Sequence, residues 1–434
     1  MSTLADRVRG ILQSPRRNGV VEPAPVLPSD SVRPDLERAL GGRWHHEAGA
    51  SCFIVDSRLE RQARHGLDTV GGVAARLTAS SGQAPLLAGF PVRPPFLFFD
   101  LETTGLSGGA GSYAFLIGFG WFDDDAFVTR QFVVARIVDE RAVLRAVADE
   151  LARAGALVSF NGRSFDAPLL ETRFLFHRLG WAGGGLAHLD MLPVARRFWK
   201  PSTDPSASMR IGADSVGSGC SLGALERQLL DCHRTGDVPG FEIPRRYFQF
   251  VRTGDPRGLA AVFHHNRLDL LSLAALTARA LHLVVAGPAA ARDPREALAL
   301  GWLYMRAGLD ELGRESYRRA AAPASPAAIQ VDALRALALS ARRARTHDAA
   351  ADYWRRLIGV PGCPSGIVRE ASEALAIHHE HRVRDLVTAK RFAQQSVECG
   401  TSPGSSQKGE YRLSRIERKL QKSDVCRLKF EVEV

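Results

Sequence analysis

Asp100 and Glu102 stand two residues apart, directly after the apolar run FLFF. That run reads as a buried strand. Residues i and i+2 of a strand point to one face, so the two carboxylates converge at the strand's carboxyl end, where α/β sheets place their ligands. Like charges this close repel, and burying them uncompensated is costly. A divalent cation relieves that cost. A solvated acidic strand end is the plainer alternative, and it fits poorly with FLFF just before it. Thr103-Thr104-Gly105 follows. It gives a sharp exit and sets two hydroxyls beside the acids, so Thr103 and Thr104 are candidate substrate contacts.

Two further segments carry acids. In LVSFNGRSFDAPLL a strand runs into a turn at Asn161-Gly162, and a helix begins near Asp166. Gly162 permits a positive φ or a close backbone approach. Asp166 suits a helix start; alone it reads as a cap, and beside DLETTGL it reads as a third ligand. Asn161 and Arg163 in that turn are candidate substrate contacts. Asp190, in the short strand HLDML, lies on the same side of the sheet by topology and is a candidate substrate or supporting residue. In HHNRLDLLSLAAL, Asp269 is the sole acid of an apolar helix. His265, one turn earlier, shares its face. His264 is rotated off that face if the helix is continuous. A kink would let either serve, and His265 is the expected partner.

These residues need a sheet to hold them. The grammar of residues 96–285 is that of an α/β domain. AFLIGFGWF and AFVTRQFVV read as strands, ERAVLRAVADELARA as a helix, ALVSF as a strand and APLLETRFLFHRLG as a helix. PSTDPSASMRIGADSVGSG reads as a loop. The last helix runs from about Pro256 to Val284, with Asp255 as cap. Residues 1–40 read as weakly ordered, with a short amphipathic helix near Leu4–Leu12. Residues 41–95 read as a strand-rich extension. From 294 to 400 the pattern changes to helix pairs with a repeat of about 37 residues. Leu300, Gly301, Tyr304, Gly308, Tyr317 and Ala320 fall at spacings that resemble a tetratricopeptide (TPR) repeat. Leu337, Ala338, Ala341, Ala350 and Trp354 match one period later; Leu375, Ala376, His379 and Phe392 are a fainter third copy. The tail, 401–434, holds one charged helix. The fold class expected is α/β, a mixed sheet flanked by helices, followed by an all-α TPR-like helical-repeat domain.

The three acidic segments resemble the Exo I, II and III motifs of the DEDD, or DnaQ-like, nuclease superfamily. More closely, residues 45–285 or so resemble the bacterial YprB-type ribonuclease H-like proteins. The segments that carry this are DLETTGLSGGAGSYAFLIGFGWF, LVSFNGRSFDAPLLETRF, CSLGALERQLLDCHRTGDVPGFEIPRRYFQFVRTGDPRGL and HHNRLDLLSLAAL. The resemblance implies that Asp100, Glu102, Asp166 and Asp269 hold two divalent cations, Mg²⁺ or Mn²⁺. It implies an RNase H-like mixed sheet flanked by helices and 3′–5′ exonuclease chemistry on DNA or RNA. A Tyr four residues, or a His five residues, before the last Asp would handle the water. Here those places hold His265 and His264, so the base stays open between them. Hard cations want carboxylate oxygens, and an imidazole with an intrinsic pKa of roughly 6.5 suits the water's proton.

Composition agrees with a polyanionic partner. The net charge is +10, and a basic surface suits nucleic acid, here a single-stranded end. Arg-rich solvated faces explain the charge equally well. The six cysteines show no CxxC spacing, which reads as free thiols in a reducing cytoplasm without a zinc site. No apolar run approaches the ~18 residues of a membrane span, and the first residues lack a secretory core. SGGAGS, Ser107 to Ser112, lacks the lysine of a phosphate loop and reads as a flexible rim. Arg245, Arg246 and the aromatics Tyr247, Phe248 and Phe250 suit either single-stranded nucleic acid or a packed helix face. His378, His379 and His381 read as surface residues. The competing functional reading is a nucleic-acid-binding scaffold, weakly active or inactive, with repeats that bind a protein partner.

Overall fold

The computed structural model describes residues 32–47, 50–105, 112–200, 220–399 and 409–422. One sheet gathers β1 (Arg43–Glu47), β2 (Ala50–Leu59), β3 (Phe96–Thr103), β4 (Ala114–Asp123), β5 (Ala126–Val133), β6 (Ala156–Ser159) and β7 (Ala187–Asp190). Its order is β1-β2-β5-β4-β3-β6-β7. β3 pairs antiparallel with β4 and parallel with β6, which pairs parallel with β7. Residues 43–59 thus extend the same sheet that carries the acids, because β2 pairs antiparallel with β5.

Helices cover both faces. They are α1 (Val32–Leu40), α2 (Val70–Ser80), α3 (Glu140–Leu151), α4 (Asp166–Phe176), α5 (Met191–Trp199), α6 (Ile243–Thr253) and α7 (Arg257–Ala286). The alternation along β3 decides which helix meets which side chain. Leu97, Phe99 and Leu101 pack in one core with Val143 and Val147 of α3 and Leu170 and Phe174 of α4. Phe96 and Phe98 face the other core, with Val73 of α2 and Leu270 and Leu273 of α7. The period-two pleat places Asp100 and Glu102 on this second face, under α7.

α7 lies tight against the sheet because of a glycine. Asp100, Gly118 and Gln131 form one row across β3, β4 and β5. A Cβ on Gly118 would stand 2.0 Å from Asn266 Oδ1. With hydrogen there, the fully buried Asn266 bridges the row. Its Oδ1 accepts from Gln131 Nε2 at 2.8 Å, and its Nδ2 donates to Asp100 Oδ2 at 2.8 Å. Gln131 Nε2 also donates to Phe263 O at 2.9 Å. α7 is long and apolar enough to cross a membrane, but 78% of its most apolar window is buried inside the fold.

Beyond α7 come three helix pairs. They are α8 (Pro294–Arg306) with α9 (Asp310–Ala320), α10 (Ala327–Arg343) with α11 (His347–Ile358), and α12 (Ser365–His378) with α13 (Leu386–Glu398). Gly301 of α8 lets the Tyr317 ring of α9 approach, since a Cβ there would meet it at 2.5 Å. Buried Glu296 ties the helical part to the sheet domain. It accepts from Trp199 Nε1 at 2.9 Å and from Arg279 Nη2 at 2.7 Å. Residues 409–422 form the charged tail helix, whose Arg415 and Lys419 bind Glu380 at 2.6 and 2.7 Å.

Several expectations are corrected. Residues 32–40, expected to be weakly ordered, form α1, in which Leu36 finds a core with Phe53 and Val55. Residues 1–31, with the expected helix at Leu4–Leu12, lie outside the described residues, as do 107–111 of the SGGAGS rim and 201–219 of the Gly/Ser-rich loop. The strand through HLDML stops at Asp190, whose carboxylate caps α5 by accepting from Leu192 N–H at 3.0 Å. The histidine cluster is not all surface: His378 is buried, and His379 stacks on Phe392. Tyr247 and Phe250 of α6 are core residues, whereas Phe248 is exposed.

Gly118→Ala should lower stability by roughly 1–3 kcal/mol, because the methyl displaces Asn266 from a packed interface. Urea unfolding checks this. A variant as stable as the parent would show that the Asn266 bridge is not close to the sheet.

Candidate metal centre

Four acids from three elements meet at the end of β3. Asp100 and Glu102 come from β3, Asp166 is the first residue of α4, and Asp269 projects from α7. Burial first, then repulsion from Asp269, Glu102 and Asp166, pushes Asp100 well above the ordinary carboxylate range, against the hydrogen bond from Asn266. Glu102 is raised in the same way by burial, then by Asp269, Asp166 and Asp237, with Arg234 opposing. Asp166 is pushed up to about 7 by burial, then by Asp190. Donor atoms of Glu102, His265 and Asp269 lie within 4.8 Å of one another.

The two histidines differ in place. α7 is continuous through this segment. His264 is therefore exposed, off the acidic face, while His265 Nε2 stands 3.4 Å from Asp269 Oδ2. His265 Nδ1 pairs with Asp237 Oδ1 at 2.7 Å. Burial alone would raise Asp237, but its bonds with His265 and Arg234 hold it below the ordinary carboxylate value.

Sequence reading passed over four residues here: Arg234, Asp237, Glu226 and Asn266. Arg234 binds Asp269 and Glu226, and Asp237 at 3.1 Å. Its pKa is raised by these acids in spite of burial. Ser272 lies one turn along α7 from Asp269. It interacts with Glu226 and stands 2.7 Å from His65 Nε2. A cavity of about 370 Å³ opens on Asp237, His265 and Asp269.

The proposed substrate contacts divide by what they touch. Thr103 is buried and donates to Gly105 O at 3.2 Å; Thr104 Oγ1 accepts from Tyr113 N–H at 3.2 Å. Both hydroxyls thus brace the strand exit. Asp190 accepts from the backbone N–H groups of Asn161 (2.8 Å) and Arg163 (3.3 Å), as well as Leu192. It holds the loop that delivers Asp166. Asn161, not Gly162, takes the positive φ, at 71°. Gly162 serves close approach instead: a Cβ there would meet Ser159 Oγ at 2.5 Å and Asp166 Oδ2 at 3.0 Å.

The donor set fits a hard divalent cation. It is carboxylate oxygen with one imidazole at its rim. One guanidinium, Arg234, binds one of these four acids, Asp269, while Asp100 and Glu102 remain raised by burial and then by the neighbouring carboxylates. A cation inverts that local logic and lets the acids ionise.

A pH dependence follows. An acid whose pKa rises on folding holds extra protons in the folded chain, so stability falls as pH climbs from the unfolded value through the folded one. For Asp166 that window runs from 3.8 to about 7. His65 and His188, each held near 4 chiefly by burial, act in the opposite sense below 6.5. Above about pH 6.5 the acids dominate, so in EDTA Tm should fall toward about pH 8. Mn²⁺ should raise Tm, and more at the higher pH. Asp166→Asn should shrink that difference. Equal Mn²⁺ shifts at both pH values in both proteins would contradict the cluster.

Comparison with known proteins places this geometry. The chain is similar to YprB of Bacillus subtilis (strain 168), a protein described as uncharacterized, with 28% identity over 378 residues, 85% of this chain and 86% of that protein. Residues 97–281 match the model of the RNase H superfamily. The match begins in β3, ends in α7 and contains all four acids. The four acids thus lie in a region, residues 97–281, that is similar to the RNase H superfamily.

Proposed function

We propose that this protein is a metal-dependent nuclease that hydrolyses phosphodiester bonds, acting as a 3′–5′ exonuclease on DNA or RNA. The observation that supports it is the convergence of Asp100, Glu102, Asp166 and Asp269 beside an imidazole held by its own carboxylate. The four acids would hold two Mg²⁺ or Mn²⁺ ions. When bound, such ions would supply a lowered pKa for the attacking water and charge relief for the leaving oxygen.

The chain's own residues do the rest. Asn266 donates to Asp100 Oδ2 and so sets that carboxylate's orientation. Asp237 accepts the Nδ1 proton of His265, which leaves the Nε2 lone pair toward Asp269 and the cavity. Nε2 then takes the proton of the attacking water and passes it to solvent. His264, exposed on α7, is the weaker alternative for this role. The loop that Asp190 clamps presents Asn161 and Arg163 to the phosphates. The helix pairs from Pro294 onward, with their tetratricopeptide-like spacing, would receive a protein partner.

End-labelled single- and double-stranded DNA and RNA test this. With Mg²⁺ or Mn²⁺ the protein should shorten at least one of them stepwise from its 3′ end, and EDTA should stop it. Asp100→Asn and Asp269→Asn should abolish cleavage. Asp237→Asn should cost roughly 10–100-fold in kcat, the usual scale for a residue that orients another, and should move the pH–rate profile. A parent protein that binds these substrates without cutting any of them, or an Asp100→Asn variant as active as the parent, would overturn the nuclease reading.

A further inference from the structure

A second cluster of charge lies beside the loop that carries Asp166. A cavity of about 470 Å³ is lined by Arg163, Arg197 and Arg306, with His188 and Asp190. Arg197 comes from α5 and Arg306 from the end of α8. Aromatic rings hold these guanidiniums. Arg197 Cζ sits 3.5 Å, and Arg306 Cζ 4.7 Å, from the ring centre of Trp302. Arg163 Cζ sits 5.4 Å from that of Phe90. Arg306 Nη2 also donates to Leu86 O at 3.5 Å. Gly89, at φ +79°, makes room for it: a Cβ there would come within 2.4 Å of that nitrogen.

The acid at this cavity is already engaged. Asp190 accepts from three backbone N–H groups. His188 is held neutral, down to about 4, mainly by burial. Three guanidiniums therefore face one carboxylate. Arg197 and Arg306 are close enough that burial, then Arg306's charge, lowers the pKa of Arg197. Like charges packed this way favour an anion. Guanidiniums held over an aromatic ring leave N–H groups for a phosphate, and Arg306 keeps its remaining donors beside the Nη2 contact with Leu86 O.

We propose that this cavity binds the phosphodiester backbone of a single-stranded nucleic acid, with Arg197 and Arg306 each pairing a phosphate. Its place links it to the metal centre. Arg163 sits in the same loop as Asp166, and Asp190 is near enough to raise the pKa of Asp166. The strand would run from the acids over Arg163 to the Arg197–Trp302–Arg306 stack. The helical region then completes the substrate track through α8. The direction of the strand rests on the nuclease reading above; the binding itself does not.

The test uses the full-length chain and a fluorescein-labelled single-stranded oligonucleotide of about 12 nucleotides, within the span of known single-strand sites. Binding is measured by anisotropy in Ca²⁺ across a salt series. Arg197→Ala/Arg306→Ala should weaken binding about tenfold or more at low salt. It should make the slope of log K against log salt shallower by about 1.4, the release expected for two lost phosphate contacts. Arg197→Lys/Arg306→Lys, which keeps the charge, should retain the slope, and Tm of both variants reports folding. Unchanged affinity and slope in the alanine variant would overturn the site. So would polyglutamate competing as well as the oligonucleotide at equal charge, which would assign the cavity to an acidic protein. Cleavage by the parent with unchanged binding in the variant would remove this site and leave the nuclease reading. Lost binding in the variant without cleavage by the parent would do the reverse.

Discussion

Carboxylates crowded at the dry end of β3 are the constraint from which the rest of the centre follows. Asp100 and Glu102 share a face with Phe96 and Phe98, so the pleat that buries the phenyl rings also draws the acids under α7. Asp166 and Asp269 then add charge of the same sign. Protonation, Arg234 and a bound cation are the three ways to relieve such a site. Burial and neighbouring carboxylates favour the first by raising Asp100, and the Arg234 guanidinium bound to Asp269 is the second. The third is the one on which the proposed phosphodiester chemistry rests.

The scaffold serves that geometry by close approach. Gly118 brings α7 down onto the sheet, and Asn266 converts the contact into a hydrogen-bonded row from Gln131 to Asp100. Gly162 does the same for the loop before Asp166. Asp190 ties that loop to β7 through backbone N–H groups. Asp100 and Asp269 are thus each held by a neighbouring element as well as by their own. Glu296, bonded to both Trp199 and Arg279, locks the helical region to this frame. That brings Trp302 and Arg306 to the loop of Arg163.

Much of this was legible in the residues. FLFFDLE announces a buried strand ending in two acids, and Asp269 stands out as the lone acid in an apolar helix. The mixed sheet followed by helix pairs is also readable from the change in period, and the structure has that order. The missed residues share one property: their role depends on contacts distant in sequence. Arg234 and Asp237 lie in a short stretch with no periodic pattern, and they gain meaning only where it crosses α7. Asn266 offered a local sign, since it stands one turn before Asp269 on the same face. Gly118 offered another, since a glycine inside an apolar strand often marks close backbone approach. The face of the histidines at 378 and 379 depends on the docking of α13, which period alone does not report.

A crystal of the full chain soaked in Mn²⁺, with anomalous diffraction collected at the manganese edge, addresses the central claim most directly. Two anomalous peaks should appear among the carboxyl oxygens of Asp100, Glu102, Asp166 and Asp269. An anomalous map without peaks there, with Arg234 still paired to Asp269 at saturating metal, would mean that the guanidinium and protonation alone satisfy the acids, and the metal centre would fall.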